Sequence, residues 1–167
     1  MAETDLKLTG RMRRRRKGIT LAQYVQRRNG VPLGASGSLS NMLARSFGAG
    51  SFAGFWEYWN PIWGYYLGRY VCAPLRGILP AALALLLTFA VSGAVHDLAT
   101  TLVRGSLALL FTPWFTLMGA AVVLGRAYGL DYGDRSPAMR VAINLGLILG
   151  CLAITLLAGR LLPDLLA

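Results

Sequence analysis

Charge is scarce in this chain. Asp, Glu, Lys and Arg make up 14% of its 167 residues, while 55% are apolar. An average soluble domain carries roughly 25% charged residues, so the composition excludes an ordinary water-soluble fold. Cysteine is scarce too. Cys72 and Cys151 lie in separate apolar neighbourhoods without metal-ligand spacing, which reads as two buried free thiols rather than a disulfide or a metal site. No metal and no cofactor are expected. The chain lacks an apolar stretch directly after its basic run; Gly18 to Asn29 is too polar for a cleavable signal peptide. The basic run lacks interleaved aromatics, so nucleic acid is not an expected partner. No internal repeat is visible, which argues against a channel or transporter lined by His96, Asp97 and Arg104.

Positive charge is what the chain does have. Lys and Arg number 17 against 7 acidic residues, and much of the excess sits in Arg11, Arg13, Arg14, Arg15, Arg16 and Lys17. Beside membrane segments such a cluster holds the N-terminus in the cytoplasm, and contact with anionic lipid headgroups is the further expectation. Residues 1–18 read as a basic cytoplasmic tail, 19–54 as an amphipathic and loop segment, and 55–167 as a membrane core. The expected class is an all-α integral membrane protein with about three transmembrane helices plus interfacial or re-entrant ones. A plasma or inner membrane is the default location.

The first span runs from Leu79 or Ala81 to somewhere between Val95 and Val103, the second from Leu107 to about Gly125, the third from Val141 to about Leu162. Each approaches the roughly 20 apolar residues that cross a bilayer. Arg126, Arg135 and Arg140 mark the loop between the second and third as cytoplasmic. Gly146 and Gly150, four apart, form a small-xxx-small pattern that lets helices approach closely and is expected to serve assembly if the protein is a scaffold or partner subunit. Ahead of the spans, Pro61 predicts one helix ending near Asn60 and another starting at Pro61 and running to about Val71.

His96 is the only histidine, and it falls with Asp97 in the far half of the first span. Ionisable residues at membrane depth face an interior or a water-filled cavity; the alternative is a polar helix end at the membrane interface. Neighbours on a helix point about 100° apart, so the two do not simply pair. Ser92 and Thr100 share the His96 face and are placed to hold its ring by hydrogen bonds. A second polar pair, Glu57 and Asn60, sits among Trp56, Trp59 and Trp63, residues that prefer the headgroup boundary; taken alone, Asn60 reads as a turn residue before proline and Glu57 as an interfacial charge.

The run Phe55-Trp56-Glu57-Tyr58-Trp59-Asn60-Pro61, then Tyr70 and Pro74-Leu75, then Ser92-Gly93-Ala94-Val95-His96-Asp97, resembles the catalytic core of the membrane-bound O-acyltransferase (MBOAT) family. Phe115-Thr116-Leu117-Met118-Gly119 resembles the helix that follows the histidine there, so the resemblance covers about residues 55 to 126. It implies acyl transfer from an acyl-thioester, usually acyl-CoA as co-substrate, to a hydroxyl. His96 matches the family's catalytic histidine, a general base on the acceptor hydroxyl, and Asn60 matches the residue that positions a reactant. Asp97, Glu57 and Ser92 are supporting residues. Family members carry more membrane spans than this stretch supplies, so the missing wall comes from a second copy (a homo-oligomer), from another subunit within the lipid, or from nothing, which would leave the motif without turnover. The alternative is a non-enzymatic membrane scaffold or partner subunit that retains the core.

Overall fold

The structure is a computed structural model that describes residues 18–107 and 109–161. The cluster Arg11 to Lys17, expected to meet anionic lipid, lies outside the described residues. These are helical without strands: α1 (Leu21–Asn29), α2 (Ser38–Phe47), α3 (Phe52–Tyr58), α4 (Pro61–Leu67), a π-helical segment (Gly68–Cys72), α5 (Ala73–Leu75), α6 (Ala81–Arg104), α7 (Phe111–Ala127) and α8 (Pro137–Leu161). The chain is an all-helical integral membrane protein.

Local chemistry explains most helix ends. Thr20 and Gln23 close a capping box at the start of α1, and Gly30 ends it in the left-handed conformation. Gly105 ends α6 in the same way. At 1.5 Å rise, the 24 residues of α6 and 25 of α8 span about 36 and 38 Å, enough for a hydrocarbon core of roughly 30 Å. The second expected span is α7, whose 17 residues reach only about 26 Å. Two helices among the described residues are therefore long and apolar enough to cross, and α7 is a shorter companion packed along α6.

The α6–α7 hairpin is the tightest joint. Asp97, 3% exposed, accepts from the Leu110 and Phe111 amides on Oδ1 (3.0 and 2.7 Å), and from the Thr112 amide and hydroxyl on Oδ2 (2.7 and 2.6 Å). The carboxylate thus satisfies the otherwise unpaired N–H groups of the first turn of α7. A Cβ on Gly93 would lie 2.5 Å from the Phe111 carbonyl oxygen, and one on Gly119 would lie 2.8 Å from Phe89 Cβ. These two glycines set the close approach of α6 and α7. A Cβ on Gly146 or Gly150 would meet nothing within 4 Å, so this small-residue face of α8 makes no close contact within the chain.

The remaining core is largely aromatic. Phe52, Phe55, Met118, Val122 and Cys151 are buried, and Trp56 packs edge-on to Phe89 with ring centroids 5.1 Å apart. Asn144, fully buried on α8, donates through Nδ2 to the Phe47 and Ala49 carbonyls (both 3.0 Å) and accepts at Oδ1 from the Tyr132 hydroxyl (2.6 Å). Burial, helped by the neighbouring Asp131 carboxylate, pushes the Tyr132 phenol up to about 12, so it stays a donor to Asn144. This polar clamp ties the N-terminal helices to α8.

Two stability outcomes follow. Gly93→Ala destabilises the hairpin by about 1–3 kcal/mol through overpacking, whereas Gly146→Ala leaves the thermal midpoint in detergent unchanged; equal midpoints for the two variants would contradict the joint described. Asp97→Ala leaves four donors without an acceptor and costs at least about 3 kcal/mol. Asp97→Asn, which keeps one carbonyl oxygen, costs less, and the order of the two midpoints is the check.

Candidate active site

α3, α4, α6 and α7, with Tyr24 of α1 and Cys72 of the π-helical segment, line a half-open cavity of about 220 Å³. Its walls are largely apolar, and Trp56, Trp59, Trp63, Phe89 and Phe115 are among them. Among its polar lining residues are His96, Asn60, Ser92, Glu57 and Arg126. Four residues singled out from the sequence, His96, Asn60, Ser92 and Glu57, therefore share one space although they span positions 57 to 96.

His96 is half-buried, and its Nδ1 lies 2.7 Å from the Ser92 carbonyl oxygen. A carbonyl can only accept, and a neutral imidazole carries one N–H and one bare nitrogen. That bond assigns the proton to Nδ1 and leaves Nε2 as the basic nitrogen. The ring sits among Phe115, Phe111 and Trp63 at centroid distances of 5.0, 5.5 and 6.2 Å. The side chains of Ser92 and Thr100 do not hold it, contrary to the expectation from their spacing. Ser92 acts through its main-chain carbonyl, and its Oγ accepts from Trp63 Nε1 at 2.9 Å. Thr100 donates back to the His96 and Asp97 carbonyls, the local bond that a helical threonine makes most readily.

Asn60 is at the junction of α3 and α4 and is the only described non-glycine residue with positive φ, at 40°. Pro61 disfavours the helical region for the residue before it, and asparagine tolerates the left-handed one better than most. Its Oδ1 accepts from the Trp63 amide at 3.2 Å and caps α4. With the oxygen engaged, the amide nitrogen Nδ2 is left as a donor on an exposed residue lining the cavity.

Glu57 pairs with Arg28 of α1 and, at 3.5 Å, with Arg126 of α7. Burial works against the charge on Arg28, but the Glu57 carboxylate more than offsets it and holds the guanidinium above its ordinary pKa. Glu57 thus joins three helices beside the cavity. Asp97 does not line the cavity; its carboxylate is fully engaged at the first turn of α7, so its support for the site runs through the position of Phe111 and Phe115. Cys151 is buried, whereas Cys72 is only half-buried and lines the cavity.

Trp63 and Arg126 were not picked out by sequence as site residues. Trp63 read as an interfacial anchor, and the only hint of more was that a buried indole N–H needs an acceptor. Arg126 read as loop charge, and nothing local ties it to Glu57, 69 positions away.

The chain matches the sequence model of the membrane-bound O-acyltransferase family over residues 39–153, well over half of its length. The match takes in α2 and most of α8 in addition to the stretch carrying His96 and Asn60. None of the curated proteins matches significantly, and neither does any solved structure. The chain belongs to the membrane-bound O-acyltransferase family, whose general activity is O-acyl transfer at a membrane.

Proposed function

We propose that this protein moves an acyl group from an acyl-thioester of the acyl-CoA type to a hydroxyl acceptor, with His96 as general base and Asn60 as the group that polarises the thioester. The observation that carries the reading is the shared cavity. It holds a histidine whose Nε2 is the basic nitrogen and an asparagine whose amide N–H groups are left to donate.

The chemistry runs as an addition and an elimination. Nε2 of His96 takes the proton of the acceptor hydroxyl as its oxygen attacks the thioester carbonyl carbon. Negative charge then develops on the carbonyl oxygen, where the Asn60 Nδ2–H stabilises it. The C–S bond breaks as the carbonyl re-forms, and the thiolate leaves with the proton that His96 had taken. The products are an ester and a free thiol, and the imidazole returns to its starting state.

We place the N-terminus in the cytoplasm of a plasma or inner membrane. Arg28 and Arg126 meet at Glu57, Arg45 donates to the Arg28 carbonyl, and Arg45 and Arg140 line one groove. Gathering of arginine at one end of a membrane bundle supports a cytoplasmic assignment for that end. The basic tail then meets anionic lipid on the same side, and a second copy or another subunit supplies further wall to the reaction space.

Membranes carrying the protein are to be given labelled acyl-CoA and a native lipid extract. Label entering a new ester is expected with wild type. His96→Ala lowers the rate at least about 100-fold, and Asn60→Ala lowers it about 100-fold with normal expression. Wild-type turnover in His96→Ala would remove the histidine from the proposed role. Label that requires neither residue would favour the non-enzymatic scaffold with a contaminating activity.

A further inference from the structure

Trp63 lines the cavity without moving a proton or polarising a bond in the mechanism above, and its contacts converge on His96. Its indole Nε1–H donates to Ser92 Oγ at 2.9 Å, across two helices and 29 positions of sequence. The same Ser92, 3% exposed, binds His96 Nδ1 through its main-chain carbonyl. The indole also stands edge-on to the imidazole, with interplanar angle 87° and centroids 6.2 Å apart. One residue of α6 therefore receives α4 on its side chain and His96 on its main chain. On the α4 side the arrangement is anchored by Asn60, whose Oδ1 accepts from the Trp63 amide.

We infer that Trp63 is a positioning residue: its bond to Ser92 pins α4 against α6 and holds the His96 ring in the single Nδ1–H tautomer that leaves Nε2 basic. The inference rests on the reading of His96 as the base, but its physical content is the state of the ring. Without the indole N–H, the Ser92 hydroxyl loses its donor and α4 loses this side-chain tie to α6. The imidazole then has room for a second orientation, in which Nδ1 no longer faces the helix carbonyl. A base needs both the right nitrogen bare and the right angle, so partial loss of order reaches the chemical step and leaves binding of the acyl donor nearly unaffected. Asn60 and Trp63 act on the site from one short helix, which couples the thioester donor to the base.

The presence of a single histidine makes the ring state directly measurable. The full chain, labelled with ¹⁵N-histidine and held in lipid nanodiscs, is to be examined by NMR for the protonation of its two ring nitrogens. Wild type is expected to show one tautomer with Nδ1 protonated and Nε2 bare. Trp63→Phe, which keeps an aromatic ring but no N–H, is expected to show a mixture. With labelled acyl-CoA and the native lipid extract, its kcat falls about 10- to 100-fold while KM stays within about twofold. Ser92→Ala removes the same bond from the other side and keeps the carbonyl, so it gives the same pattern, and it decides the matter should Trp63→Phe fail to fold. The double variant is expected to be no worse than either single one, because both lose one shared bond. A single Nδ1–H tautomer in both variants, or losses that multiply in the double variant, overturns the inference. The NMR result does not depend on turnover, so it separates this inference from the proposed activity: full activity in His96→Ala would sink the base assignment and leave the ring geometry as measured.

Discussion

Four hydrogen bonds onto the carboxylate of Asp97 hold the turn between α6 and α7 at the depth of the candidate site. The first N–H groups of a helix have no partner within it, and each one buried and left unpaired costs about 1–3 kcal/mol. Asp97 supplies acceptors for three of them and for the Thr112 hydroxyl. Its negative charge also faces the positive end of α7. The consequence reaches the site through geometry: α7 begins where it must for Phe111 and Phe115 to stand beside His96, one residue along from the clamp. Gly93 permits the same approach, since any larger residue would collide with the Phe111 carbonyl.

A second constraint sits at the start of α4. Asn60 holds a left-handed conformation directly before a proline, a costly place for any residue other than glycine. Strain of this kind persists only where the surroundings over-determine it, and such positions gather at functional sites. Here the cap onto the Trp63 amide offsets part of the cost and orients the side chain. The oxygen is fixed toward the helix, and the donor end of the amide is left for a ligand. The backbone thereby decides the polarity that Asn60 offers to the cavity.

Some of this was legible beforehand. Pro61 and Asn60 marked the α3–α4 break because the backbone restriction before proline is local. Composition marked the long apolar helices, and two of them are α6 and α8. The packing glycines were not legible. Gly146 and Gly150 fit the spacing of a helix contact, but spacing reports only that two small residues share a face. Within the chain the close contact is made by Gly93 and Gly119, because α6 and α7 present those faces to each other. Asp97 drew notice as an ionisable residue at depth, and the resemblance placed it beside the reaction; the fold commits its carboxylate to α7.

Membrane residence, the helical class, several helix ends and the pairing of His96 with Asn60 as candidates followed from sequence alone. They rest on composition, on local backbone restrictions and on a family pattern. Only the tertiary structure decided that Ser92 holds the imidazole through its carbonyl, that Trp63 reaches Ser92, that Glu57 joins Arg28 to Arg126, and that Asn144 clamps α8 to the α2–α3 turn. Each of these depends on a hydrogen bond whose direction or partner no local pattern encodes, and the long-range ones join residues 29 to 97 positions apart. A sequence lists the donors and acceptors; the packing of helices determines which of them meet.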